Sequence, residues 1–554
     1  MTTPLSTKRW LAILLILTAF FLAMATFNLE NFRPVSSDEG FNMAVADKLA
    51  ADGILGSDLF AGFFNADQHI FFNMPLQHVW QALVFRLLGA GVAQARWVSL
   101  INGVVLLWTV CLVTRRWYGN TVSLLTGVLL LFWRTDLIGA SPGLPLLALS
   151  RTARYDVGAV MWIWLAIGLL DRWVRQPSRW MALALGMVAG LGTLTHFTGF
   201  YVWPLIGVIL LGKRGWACPE VRGGGAFRTS SPYLIALGGF LVILPYLIFI
   251  FTYFDDFSGQ FRTIYGQRAA FGTWEFYLTN LTGELARYRA LFERVTPGPF
   301  LLILGVFPAL LFLWRRLRKT NEIGDRILFA SFPIFLGMLS FVEQTKAPGY
   351  AFVFVPSLCI LFALCGVAGL PRHTGRGFRW AWRQRQTWVR QVILIALCGT
   401  LGLVILEGGL AYWIDRSQAR QVSAYEEVGA QIEASLPEGA RILGTDRWWW
   451  PLRTHSYLAF INLVGQWLDA EEKGVPVEFS RLINRYTIHI ILVNDNVRGE
   501  ITRYPEALQS QFWAFIENCT IPLKDWTDKT YGRLEVYKVA EMPAKNCVPE
   551  LSSP

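Results

Sequence analysis

The sequence predicts an α-helical polytopic membrane protein with about 11 transmembrane helices and a small C-terminal soluble α/β domain. Three observations predict it. The 554-residue chain is 54% hydrophobic and 14% aromatic, with a mean hydropathy of +0.39, more apolar than a soluble domain of this length tolerates. Its apolar residues gather in runs long enough to cross a bilayer. Its Lys and Arg residues fall in alternate connections between those runs.

The first span is Trp10 to Leu29, uncharged and preceded by Lys8 and Arg9. No small-residue cleavage pattern follows it, so it reads as a retained span and not a signal peptide. Further spans are expected at 97–114, 119–136, 157–171, 180–195, 198–212, 233–254, 299–314, 327–342, 350–370 and 391–413. Arg134 and Asp136 interrupt the third, and the proline-containing stretch 137–149 that follows it has the composition of a short or re-entrant segment. With the N-terminus cytoplasmic, the loops holding Arg115/Arg116, Arg172/Arg175/Arg179, Lys213/Arg214, Arg315 to Lys319 and Arg372 to Arg390 all fall inside. The net charge of +11 is thereby spent on orientation and anionic headgroups, and needs no nucleic acid.

This topology divides the chain into a membrane body, 1–413, carrying an outer-face loop at 30–95, and an extracytoplasmic tail, 414–554. In the tail, "QVSAYEEVGAQIEASLPEGARILGTD" reads as a helix stopped by Pro and Gly and followed by a short strand. "IHIILVND" and "RLEVYKV" read as further strands, with helices near 478–486 and 505–518 between them. The seven cysteines show no metal-ligand spacing, and Cys519 and Cys547 lie where an oxidising compartment permits a disulfide. Trp448 to Trp450 suit either stacking on sugar or seating the tail on the membrane or the body.

Three polar clusters fall on the outer side. "SSDEGFNMAVADKLAADG", 36–53, sets Asp38 and Glu39 at the exit of the first span; Ser36 and Glu39 fit a capping box, which accounts for the turn but not for carboxylates beside an interface. "SRTARYDVGAVMWIWLAIGLL", 150–170, puts Arg151, Arg154, Tyr155 and Asp156 at the outer start of the fourth span. An N-terminal Asp with a snorkelling Arg is the ordinary alternative there. "EQTKAPGYAFVFVPSLCILFALCG", 343–366, brings Lys346 and Tyr350 to the same depth, where a cation beside a tyrosine suits a phosphate and also suits an interface anchor.

In order and topology these stretches resemble the polyprenyl-phosphate-sugar-dependent membrane glycosyltransferases of the GT-C fold, of the protein O-mannosyltransferase and lipid A aminoarabinose transferase (glycosyltransferase family 39-like) type. "SDEGFNMAVADKLAADG" is similar to the family's first outer loop, "NMPLQHVWQALVFRLLG" to its loop proline and aromatic-rich helix, and "TARYD" and "KAPGYAFVFVPSL" to its later signatures. The likeness covers about 1–370. One departure stands out: Asn73 and Met74 precede Pro75 where relatives commonly carry a Lys, with His69 and His78 nearby. That leaves open what holds the lipid phosphate, and with it the substrate.

The resemblance implies transfer of a sugar from a polyprenyl-phosphate donor to an acceptor (protein, lipid or cell-envelope glycan) on the extracytoplasmic face of the plasma membrane, the inner membrane in bacteria. Asp38 is then the general base, with inversion at the anomeric carbon. Glu39 and Asp156 orient the acceptor, or Asp38 and Asp156 hold a divalent cation (Mg, Mn or Zn) against the phosphate. Lys346 and Arg154 bind that phosphate and Tyr350 donates to it, with Tyr155, His69 and His196 completing the substrate-binding set. A transporter or flippase is the alternative from another class, and a non-catalytic receptor a third. Charges gathered at one interface, with no paired halves, favour the enzyme over both.

Overall fold

The computed structural model describes residues 5–135, 143–215, 225–265, 273–293, 295–320, 322–343, 348–369, 380–475 and 477–540. The chain begins with α1 (Thr7–Ala25), capped by Ser6, whose hydroxyl accepts from the Arg9 amide at 3.3 Å. The first loop then folds into α2 (Ser37–Asp52) and α3 (Leu76–Leu88), with α2 ended by Gly53 in the left-handed region. After it come α4 (Val92–Tyr118), α5 (Asn120–Phe132), the short α6 (Pro145–Ser150), α7 (Asp156–Arg175), α8 (Arg179–Thr195), α9 (Val202–Gly215) and α10 (Gly225–Thr252). Then follow α11 (Phe254–Tyr265), α12 (Trp274–Phe292), α13 (Pro297–Leu304), α14 (Val306–Thr320), α15 (Ile323–Gly337), α16 (Val355–Gly369) and α17 (Trp380–Ala419).

Among the described residues, seven helices are long and apolar enough to cross a membrane, and α13 with α14, bent by 46°, makes an eighth if the pair is one span. The expected third, fifth and sixth spans correspond to shorter apolar helices, Asn120–Phe132, Arg179–Thr195 and Phe197–Leu211. At 13 residues α5 rises only about 20 Å, less than a hydrocarbon core. The described part of the proline-containing stretch after it contains the fully buried α6, which feeds the loop into α7. Helices α8 and α10 touch backbone to backbone, since a Cβ on Gly186 would lie 1.9 Å from the Ile235 carbonyl oxygen.

The tail carries one five-stranded sheet. Its strands are β1 (Arg441–Gly444), β2 (Ser456–Ala459), β3 (Ile490–Asn494), β4 (Thr520–Asp528) and β5 (Gly532–Val539), in the spatial order β2-β1-β3-β5-β4. β1 runs parallel to β2 and β3, with Ile442 opposite both Tyr457 and Ile490, while β5 is antiparallel to β3 and β4. Helices α18 (Tyr425–Glu433), α19 (Phe460–Glu472), α20 (Phe479–Arg485), α21 (Asp495–Ile501) and α22 (Glu506–Cys519) surround it. Strands β1, β3 and β5 and helices α18, α20 and α22 fall where the sequence pattern puts them. Cys519 is disulfide-bonded, and Cys547 lies outside the described residues.

One face of the sheet shares a single core with the first loop. Phe41, Phe60, Phe63 and Phe85 of the loop pack with Tyr425, Trp448, Trp450 and Leu534 of the tail. Burial of large aromatics on both sides makes the tail a fixed partner of the loop. The tryptophan run belongs to this seam. Trp448 and Trp450 are buried in this shared core, where Trp450 meets Phe85 of the first loop with centroids 6.2 Å apart, so the run seats the tail on that loop.

Candidate active site

The turn into α2 is built as the capping box predicts, with the Glu39 amide donating to Ser36 Oγ at 3.3 Å and the Ser36 amide to Glu39 Oε2 at 3.1 Å. Glu39 does more than cap. It is fully buried, and Arg96 of α4 donates to it from Nε at 2.9 Å and from Nη2 at 3.1 Å, while the Ala153 amide donates to Oε1 at 2.7 Å. Both of its oxygens are filled by the protein, so the expectation that Glu39 orients an acceptor is corrected. It positions α2 against α4 and the loop before α7.

Asp38, one residue earlier, faces out, and its side chain is 55% exposed. Arg154 donates to Asp38 Oδ2 through Nη1 and to Asp156 Oδ2 through Nε at 2.8 Å. The two carboxylates expected at one depth are therefore joined by one guanidinium. Its planar fork suits such a bridge in a way that a lysine ammonium would not. Asp156 opens α7 and is nearly buried, and Ser99 of α4 fixes the loop by donating to the Arg154 carbonyl at 2.8 Å.

This arrangement does not fit the expected divalent cation. Arg154 already bridges Asp38 and Asp156, and no group of three or more His, Cys, Asp or Glu among the described residues could hold a metal ion. The cation at this point is the arginine.

Beside the bridge stands a stack of three rings. His196 lies on Tyr155 with centroids 4.1 Å apart and on Tyr350 at 5.4 Å, the planes within 7° and 18° of parallel. His196 ends α8, and its Nδ1 accepts from the Thr198 amide at 3.2 Å, which assigns the ring proton to Nε2. Burial pushes the Tyr155 phenol well above its ordinary range, with the Tyr350 phenol acting in the same direction, so Tyr155 is a hydrogen-bond donor and not a base. Lys346 lies outside the described residues.

His69 has other partners. Its Nδ1 lies 3.0 Å from Asp256 Oδ2 and its ring stacks on Tyr253 at 3.5 Å. Nearby, Gln260 donates to the carbonyls of Phe64 and His69 at 3.0 and 2.6 Å and accepts from the Phe71 amide at 2.9 Å. The structure thus places His69 in the seam that ties α11 to the first loop.

Two features have no counterpart among the expected residues. Arg96 sits four residues into α4, at the start of an apolar run, where an arginine reads as an interface anchor. A buried Arg287–Glu284 ion pair of 3.0 Å lies on α12, and both of its members, with Glu343 and Tyr350, stand within electrostatic reach of Tyr201. Next to it a cavity of about 400 Å³ is lined mainly by apolar groups, Leu281, Leu285, Leu336 and Phe341 among them.

No protein-family model and no curated protein matches the sequence. Solved structures do match. ArnT from Cupriavidus metallidurans in the apo state superposes with a TM-score of 0.59 over 95% of this chain and 97% of its own, at 16% identity. The same protein bound to undecaprenyl phosphate gives 0.58 over 97% and 99%, again at 16% identity. The Archaeoglobus fulgidus oligosaccharyltransferase in the apo form gives 0.57 over 93% of this chain and 73% of its own, at 11% identity. The fold is GT-C. In this GT-C chain the Asp38–Arg154–Asp156 bridge lies where the first loop meets the turn into α7, beneath the sheet-bearing tail.

Proposed function

We propose that the protein is a membrane glycosyltransferase that moves a sugar from a polyprenyl-phosphate donor to an acceptor hydroxyl on the extracytoplasmic face. The observation that carries this reading is an exposed carboxylate, Asp38, held by Arg154 beside the Tyr155–His196–Tyr350 stack. It is supported by a fold shared with a protein solved with undecaprenyl phosphate bound.

A hydroxyl is a poor nucleophile until a base receives its proton. Asp38 Oδ1 takes that proton as the acceptor oxygen bonds to the anomeric carbon. The bond from that carbon to the phosphate oxygen breaks, and its electron pair leaves with the polyprenyl phosphate. One displacement inverts the anomeric centre. Arg154 holds Asp38 in line through Oδ2, and Asp156 holds Arg154. The growing charge on the phosphate is met by Tyr350, with Lys346 as the cation beside it. The cavity at Leu281, Leu285, Leu336 and Phe341 gives part of the isoprenoid chain an apolar path.

The test is mass spectrometry of lipid extracts and envelope glycoconjugates from host cells with and without the gene, repeated with Asp38→Asn. Accumulation of a lipid-linked sugar phosphate together with loss of one residue from a glycan, in both the deletion and the variant, is expected. Unchanged glycans with a shifted lipid or small-solute distribution would replace the enzyme by the transporter.

A further inference from the structure

The tail brings a carboxyl group to Asp38 that the bridge does not explain. Asp446 opens a short 3-10 turn, Asp446–Trp448, directly after β1. That turn presses on α2 so closely that a Cβ on Gly40 would stand 2.0 Å from the Asp446 carbonyl oxygen. Several bonds build the turn in place: Tyr457 Oη donates to the Thr445 carbonyl at 2.8 Å, Tyr425 Oη donates to the Arg447 carbonyl, and Trp448 stacks on Tyr425 with centroids 5.6 Å apart. Asp446 is 8% exposed, and among the described residues no basic side chain forms an ion pair with it.

We propose that Asp446 belongs to the same reaction centre as Asp38, so that the tail forms one wall of the acceptor site and its carboxyl group binds an acceptor hydroxyl next to the one that reacts. This rests on the glycosyltransfer reading and narrows it. An acceptor that meets Asp38 and Asp446 together carries neighbouring hydroxyls, so it is a glycan or another polyol and not an isolated hydroxyl. The groups near Asp446 agree. Asp38 from α2, Glu500 from α21, Tyr504 just beyond it and Tyr457 from β2 lie within its electrostatic reach, and Arg447 follows it in the chain. Such a wall of carboxyls and phenols hydrogen-bonds to hydroxyls and repels phosphate.

Burial, then Glu500 and Asp38, push the Asp446 carboxyl well above the usual carboxylate range. It is therefore a neutral donor below that raised value and loses its proton as the pH rises through it. Acceptor binding through this O–H weakens on the alkaline side.

The experiment uses full-length protein in native membranes, with endogenous donor and acceptor and product followed by mass spectrometry across pH. Asp446→Ala should raise the acceptor KM by about tenfold or more, the effect of one lost hydrogen bond in a dry site, while binding of undecaprenyl phosphate by the purified protein stays unchanged. Asp446→Asn, which keeps the size and a donor but has no proton to lose, should keep transfer within a few fold and move the alkaline limb to higher pH. Should Asp446→Ala fold poorly, the limb in Asp446→Asn decides alone. A wild-type acceptor KM in Asp446→Ala, or an unmoved limb in Asp446→Asn, overturns the proposal. Absence of any sugar transfer by the wild-type protein overturns the glycosyltransfer reading, a separate outcome that takes this inference with it.

Discussion

The imidazole of His196 lies flat on the ring of Tyr155, centroids 4.1 Å apart and planes 7° from parallel, with Tyr350 stacked beyond it at 5.4 Å. Ring contact is what this stack needs, so His196→Phe should keep it and His196→Ala should open it. The alanine variant is expected to lose about 1 kcal/mol of stability and to transfer sugar roughly tenfold more slowly as Tyr350 loses its support. Initial transfer rates beside thermal melts check this. A phenylalanine variant as slow as the alanine one would mean that the imidazole itself touches substrate.

Glu39 and Arg96 form a buried ion pair whose further hydrogen bonds include the Ser36 and Ala153 amides on Glu39 and the carbonyls of Leu29, Glu30 and Arg33 on Arg96. Removing one charge strands the other where water cannot reach it. Glu39→Ala and Arg96→Ala are each expected to cost about 3–5 kcal/mol, seen as lowered melting in detergent and poor accumulation in the membrane. A double substitution by apolar residues of similar volume should be milder than either single change.

His78 of α3 is fully buried, and burial pushes its imidazole down to about 4. The unfolded chain binds that proton near pH 6.5, so between pH 6.5 and 4 unfolding takes up a proton that the folded state refuses. Stability should fall by about 3 kcal/mol as the pH is lowered across that window and be unaffected by this group above it. Melting curves from pH 7 to pH 4 would test this against His78→Gln, which should flatten the acid side.

Gly40 is a geometric prediction. Since an added Cβ would meet backbone at 2.0 Å, Gly40→Ala must push the Asp446 turn away from α2. A loss of about 1–3 kcal/mol is expected, along with easier proteolysis between tail and body. Wild-type protease resistance would show that the contact yields.

The apolar membrane helices and the strands β1, β3 and β5 were legible because each follows from local hydropathy, composition or neighbouring turn residues. The capping box of Ser36 and Glu39 was legible for the same reason. The other half of Glu39's role was not, since Arg96 and the Ala153 amide arrive from 57 and 114 residues away. Periodicity carries no information at that range. Arg154 was expected on a phosphate and is found between two carboxylates, because which charge a guanidinium meets is settled by packing of α2 against the turn into α7. β2, beside a tryptophan-rich turn, was not read although its length and burial pattern are those of β1; its parallel pairing with β1 is what makes it a strand. The length of α5 was overread because Trp133 to Asp136 continue its apolar pattern only in part.

The contact of Gly40 with Asp446 also fixes a parity. Two touching residues lie on one side of the bilayer, so the chain between them crosses it an even number of times. Among the described residues, six of the seven long apolar helices fall between them, and the bent pair makes seven if it is one span. Were those seven to cross, an odd number of further crossings, from the three shorter apolar helices or from outside the described residues, would have to accompany them. A single failed insertion would therefore not weaken the protein by degrees; it would leave Asp38 and the tail on opposite faces of the membrane.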